Sequence, residues 1–375
     1  MSLQTAFEQT AIKEEVKQYN LYGVKVNVAP SEKKFAEDLF DSLASIPTGR
    51  KAIEDMKKYQ VDFFLETALG TAGGYFDPEN NQIVMAKSLG MDFMEFALVH
   101  EARHLLQNNL GRDKAEAENL DYASRLMINR ATEADAQTQA IKACKEWEAQ
   151  GHDAPMKRFE KHYMPIVDRF NKTQSLSDAF KGWYDDERIS ASYEQGYDVE
   201  PAVKSLFRQP DKRPYVSLKP ADIAKFCGAD RVDGFDEFLE SPQARQVHLL
   251  TKTVLEMYDA AATAKGASPD TSLNTVPVRD LHGNAAAQMY AAKYIKETRE
   301  KVQFCMPLDP QKSAVSKSVL RAVDAVEKIN QAAVKGEKDP VSEKALQTEK
   351  KFVHTHVQGL NTRVVKTIAG QKRGR

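Results

Sequence analysis

The chain has 375 residues, 42% hydrophobic and 29% charged, with a formal net charge of −1. Such a balance fits a globular protein that buries a sizeable core, as two domains or as one large domain with an extension. It excludes a polyanion binder at the level of the whole molecule. No apolar run approaches the roughly 20 residues that span a bilayer. The cysteines Cys144, Cys227 and Cys305 are too few and too scattered for a disulfide framework or a cysteine zinc site.

In chain order, the N-terminus is polar and lacks the apolar core of a cleaved signal. Residues 1–60 read as helices with short breaks. Phe35, Leu39, Phe40 and Leu43 form one apolar stripe, Ile46-Pro47-Thr48-Gly49 breaks it, and Thr48 is placed to cap a helix from Arg50 to Tyr59. Val61–Glu66 is long enough for a strand. Gly73-Gly74 permits close backbone approach. Tyr75-Phe76, the turn residues Asp77–Asn81 and Ile83–Met85 then read as strand, turn, strand. One of these strands is expected to rim a cleft with a free edge that an extended peptide could join.

The stretch Asp92–Gly111 follows and reads as one amphipathic helix. Asp92 and Glu95 have capping-box spacing, and Gly111 sits where a helix commonly ends in a left-handed residue. Within it His100, Glu101 and His104 form H-E-x-x-H. Residues four apart on a helix lie about 5–6 Å apart at Cβ, so both imidazoles can reach one metal ion, and Glu101 can approach a water at that ion. A zinc ion that keeps one position open needs a third protein ligand. Glu133, on the next expected helix, is the candidate if the chain turns back at Gly111-Arg112. Asp135, two residues on, points elsewhere. Ala131, Ala134 and Ala136 are small enough for close helix approach.

Beyond Gly151 the chain reads as helical over Met156–Phe170 and Leu176–Tyr193, dense in aromatics. Asp185-Asp186 reads as a solvated face. Residues 209–220 hold three prolines and read as a boundary loop. Further helices follow, one of them opened by Ser241-Pro242. His248 and His282 read as structural, and His354 and His356, two apart, do not share a direction on a helix. From Lys312 to Arg375 there are 14 Lys+Arg against 6 Asp+Glu, a net of +8 that leaves −9 for the rest. That run reads as solvated helices ending in a frayed GQKRGR. No nucleic-acid motif and no internal repeat is found.

H-E-x-x-H with a glutamate on a later helix resembles the glutamate zincins, a class of zinc metallopeptidases. Gly73-Gly74-Tyr75-Phe76-Asp77-Pro78 with Asn81 and Ile83, and Glu133-Ala134-Asp135-Ala136, are similar to stretches of a group of bacterial metallopeptidases of unassigned biological role. The chain is also similar to bacterial peptidases that cleave transcriptional repressors, whose third ligand sits in a similar E-A stretch. The resemblance covers roughly residues 45–200 and not the C-terminal third. It departs at Gln137, where thermolysin-like enzymes have an aspartate four positions after the ligand glutamate.

The resemblance implies a zinc-dependent peptidase that acts on a protein or peptide through water activated by Zn2+. His100, His104 and Glu133 would be the metal ligands, and Glu101 the general base. A second donor to the oxyanion is expected among Tyr193, Tyr197, His162 and Arg188, with Tyr193 the choice. The expected fold is mainly α with a small β-sheet (α+β), a zincin-like domain over 1–210 and a helical region with a basic tail over 211–375. The expected location is cytoplasmic, with signal-less export as the alternative; no membrane or nucleic-acid partner is expected, and the oligomeric state is not read. The rival reading is a non-catalytic, zinc-stabilised helical binding or regulatory module.

Overall fold

The computed structural model describes residues 15–67, 69, 73–281 and 285–371. His282, the N-terminal stretch as far as Glu14, and the residues after Gln371 lie outside them. The described residues are mainly helical with one five-stranded sheet, an α+β architecture. Two compact units interleave in sequence. The first comprises Met1–Arg112, Thr132–Phe180 and Phe226–Arg231, and the second comprises Asp113–Ala131, Lys181–Lys225 and Val232–Arg375. This is a different partition from a single cut at residue 210.

The first unit opens with a hairpin, β1 (Lys17–Leu21) and β2 (Val24–Val28), where the sequence reading expected helix. Two positive φ angles, 53° at Tyr22 and 89° at Gly23, make the two-residue turn whose twist matches paired strands. Val24, Val26 and Val28 alternate inward and are fully buried, so the period is that of a strand. Helices α1 (Lys33–Ser45) and α2 (Pro47–Lys58) follow. Thr48 does not cap α2, which already begins at Pro47. Its N–H and its hydroxyl both bond the Glu146 carboxylate, at 2.7 Å each, so the cap comes from far along the chain.

Strands β3 (Asp62–Glu66), β4 (Gly74–Asp77) and β5 (Gln82–Ala86) complete the sheet in the order β1-β2-β3-β5-β4. β2–β3 and β3–β5 are parallel, and β4–β5 is the expected antiparallel hairpin. β4 is therefore an edge strand. Ala86 N–H bonds Gly73 C=O at 3.0 Å. The ladder then turns the N–H and C=O of Gly74 and Phe76 away from β5, towards the open edge. Gly73 and Gly74 are required here. A Cβ on Gly73 would lie 2.3 Å from the Phe93 ring, and one on Gly74 would lie 2.5 Å from the Met85 sulfur.

Helix α3 (Met91–Asn109) carries the H-E-x-x-H motif. Its N-cap is Gly90, at φ 87°, rather than Asp92. Glu95 does not reach back as in a capping box. It is buried and bonds the Ser42 hydroxyl of α1 and His152 Nε2. Gly111, at φ 105°, ends the helix as expected. The helix is not amphipathic: every residue from Met94 to Gln107 is buried. Around it pack α2, β4, β5 and α6 (Ala154–Thr173), which is bent at Tyr163 just before Pro165. A short α4 (Arg112–Glu116) and the long α5 (Tyr122–Glu148) lie between, and α5 from Thr132 onward belongs to this unit.

The second unit is helical. Its core joins α9 (Glu200–Ser205), α13 (Leu249–Ala264), α14 (Ala285–Phe304), α15 (Pro310–Val334) and α16 (Pro340–Gln371). Before α9 stand α7 (Leu176–Asp185), which belongs to this unit from Lys181 onward, α8 (Glu187–Tyr193) and a π-helical turn, Glu194–Val199. Between α9 and α13 come the short α10 (Pro220–Phe226), α11 (Phe235–Leu239) and α12 (Pro242–Arg245). Asp186 is not on a solvated face. It is buried and caps α8 by accepting from Arg188 N and Ile189 N. His248 is structural, its Nδ1 accepting from Leu250 N–H at the start of α13.

Gly73→Ala should destabilise the first unit by about 1–3 kcal/mol, because the new methyl must push a ring already packed against Phe96 and His162. A thermal melt unchanged from wild type would show that Phe93 can swing aside.

Candidate metal centre

Two helices supply the site. On α3 His100 and His104 are one turn apart, with ring centroids 4.6 Å from each other. From α5 Glu133 approaches them, and the fully buried Ala134 and Ala136 leave room for that approach. His100 Nε2 lies 3.5 Å from Glu133 Oε2, and His104 Nε2 lies 3.5 Å from Glu133 Oε1. The two Nε2 atoms are 3.0 Å apart. Among the described residues these three side chains are the group of histidine and carboxylate donors that could share a cation, with donor atoms all within 4.8 Å of one another. Tetrahedral zinc with ligands at 2.0–2.1 Å separates them by about 3.3 Å, so the spacing fits. Asp135 points away, as expected.

The charges fit as well. Burial by itself would raise the Glu133 carboxyl, but positive charge at His104 and His100 outweighs it and holds the group well below the usual carboxylate range. Two Nε2 atoms facing each other at 3.0 Å cannot both carry protons. A cation held by all three groups would supply the counter-charge that Glu133 needs. Glu101 is pushed up to about 7 by burial, with Glu133 adding and His100 and the Phe76 N–H opposing. Its Oε2 accepts from Phe76 N–H at 3.0 Å, on the open edge of β4.

A network behind the donors fixes His104. Gln107 is fully buried, and its Nε2 donates to Thr132 C=O at 2.9 Å and to Asp135 Oδ2 at 2.8 Å. Both partners are acceptors, so the amide orientation is settled and Gln107 Oε1 faces His104 Nδ1 at 2.8 Å. Nδ1 must therefore carry the proton, which leaves the Nε2 lone pair aimed at the cluster. Asp135 is held in turn by Arg103, through Nε at 2.7 Å and Nη2 at 3.0 Å. His100 Nδ1 and Gln137 Oε1 are both buried and without a hydrogen-bond partner among the described residues.

A family model described as "Putative metallopeptidase family (DUF6782)" matches residues 23–228. The chain belongs to this putative metallopeptidase family. The match covers more than half the chain and takes in strands β2 to β5, the two donor helices and Asp135. No curated protein and no solved structure matches the chain.

The other residues singled out in the sequence belong to the second unit or have other partners. His162 is on α6, edge-on to Phe93 at 5.5 Å. Tyr193, in the second unit, stacks on Tyr197 at 5.2 Å and meets Trp183 edge-on at 5.5 Å. Arg188 pairs with Asp186. His354 Nδ1 meets Ala260 C=O at 2.9 Å, and His356 stacks on Phe352. Sequence reasoning missed Gln107, Arg103 and the Phe76 N–H. The first had a usable signal, since a polar residue three after His104 shares its helix face.

Glu133→Ala should weaken metal binding more than Asp135→Ala does, while stability of the metal-free protein should order the other way. Removing Asp135 strips the buried Arg103 of its bidentate partner, a loss of about 3 kcal/mol. Chelator competition and denaturant unfolding of both variants would check the two orders, and a reversal would displace Glu133 as third donor.

Proposed function

We propose that the chain is a zinc-dependent peptidase that cleaves a protein or peptide, with His100, His104 and Glu133 holding the ion and Glu101 as general base. The observation that carries this reading is the division of labour on α3. Two imidazoles and a facing carboxylate converge on one point, while Glu101 stands beside them with one oxygen held by Phe76 N–H. Zinc bound to such a donor set supplies Lewis acidity and lowers the pKa of water towards about 7. A purely structural site has no use for the extra carboxylate.

Glu101 takes a proton from water as the water oxygen adds to the peptide carbonyl carbon. It returns that proton to the amide nitrogen as the C–N bond breaks. Nothing is oxidised or reduced, and the products are a carboxylate and an amine. The open edge of β4 supports a peptide substrate. Gly74 N–H and C=O and Phe76 C=O are turned outward, and an extended chain pairing there runs past Glu101.

Purified protein should hold about one zinc per chain, and chelation should lower its melting temperature, because the metal binds only the folded state. Glu101→Gln keeps the shape of the side chain but removes the base. It should retain zinc and fold normally, yet lose activity on a peptide mixture by about 10²–10⁴-fold. Zinc binding with function untouched by Glu101→Gln would instead favour a non-catalytic, zinc-stabilised module. No zinc after reconstitution would sink the metal reading altogether.

A further inference from the structure

The network behind His104 does not end at Arg103. The chain leaves the second unit for six residues, Phe226–Arg231, which pack with the first unit. This strap is seated firmly. Cys227 is fully buried, and Gly228 takes φ +74° beside Leu106 and Leu110 at the end of α3. From the strap, Asp230 Oδ1 accepts from Arg103 Nη1 at 2.8 Å, and Cys227 C=O accepts from Arg103 Nη2. Lys51 Nζ stands 3.9 Å from the other Asp230 oxygen.

We infer that Asp230 is a positioning residue of the metal centre, acting on His104 through Arg103, Asp135 and Gln107. The inference rests on the reading that His100, His104 and Glu133 hold a metal. Arg103 is 5% exposed and has Nε, Nη1 and Nη2 all committed to acceptors, so its planar guanidinium cannot turn. Asp135 uses both oxygens on that plane and shares Oδ2 with Gln107. The Gln107 amide fixes which His104 nitrogen is protonated and where the other points. Removing Asp230 takes one anchor and one opposite charge from Arg103 and frees the plane to tilt. The tilt passes along two hydrogen bonds to the imidazole. A carboxylate 126 positions after His104 in the sequence is thus part of the machinery that aims this donor.

The test uses the full chain, with zinc affinity measured by competition against a chromophoric chelator and ligand geometry read from the visible absorption of the cobalt-substituted protein. Asp230→Ala should weaken zinc binding roughly tenfold, the lower end of the range for groups behind a metal ligand. It should also alter the cobalt bands. Arg103→Lys, which keeps charge but loses the fork, should do more, and Asp230→Asn, which keeps an acceptor, should do less. Asp38→Ala, which removes an exposed carboxylate paired with Lys34, should match wild type in both readouts. Wild-type affinity and cobalt bands in Asp230→Ala would overturn the inference and leave the metal reading intact. So would weakened affinity with unchanged bands, since that marks a merely structural role. A wild-type chain that binds neither ion overturns the metal reading itself.

Discussion

A buried carboxylate facing two imidazole nitrogens is the constraint around which the first unit is built. Glu133 is 6% exposed, His100 and His104 are each 8% exposed, and Glu101, also 8% exposed, adds a second acid beside them. Four ionisable groups at one place out of water are costly unless a compact positive charge resolves them. Arg103, the nearest cation on the same helix, is turned the other way and already shared between Asp135 and Asp230. The three donors therefore form a buried group that could hold a metal ion, kept in place where α3 meets α5.

Burying α3 on all sides follows from that constraint. A helix that faced solvent on one side would let its polar residues find water. Here Met94 to Gln107 are buried without a gap, so each polar group must find a protein partner or a ligand. Glu95 finds Ser42 and His152, Arg103 finds two aspartates and a carbonyl, and Gln107 satisfies three neighbours at once. His100 Nδ1 is the exception among these. Such fully paired buried polar networks specify one arrangement of helices more sharply than an apolar seam can.

This also explains what could be read from the sequence. The H-E-x-x-H spacing on a helix, the hairpin before it and the end of α3 at Gly111 are local patterns, with spacing set by helix or strand period, and they were legible. The approach of Glu133 to the two histidines depends on the chain turning back after Gly111, which no local period dictates. The β1–β2 hairpin was missed because Tyr22-Gly23 is an unusual turn pair, and the alternation of Val24, Val26 and Val28 is short. The amphipathic reading of α3 failed because periodicity reports polarity, not exposure, and a buried polar residue looks like a solvated one. Glu146 at the start of α2 and Asp230 behind Arg103 act across 98 and 127 residues, so no local pattern announces them.

The five-residue motif makes the same point in miniature. At about 100° per residue, His100 and His104 lie within one narrow sector of the helix, and Glu101 lies to one side of it, facing β4. Arg103 lies on the other side, and Gln107, seven residues after His100, returns close to the histidine sector. Asp135 can therefore touch both Arg103 and Gln107 while Phe76 touches Glu101 from the opposite flank. That leaves Ala102 on the far side, 2% exposed. A shorter or uncharged side chain at 103 would strip Asp135 of the bidentate partner that holds it against Gln107. The polar residues of the motif are distributed between two flanks, with the strand on one and the network behind His104 on the other.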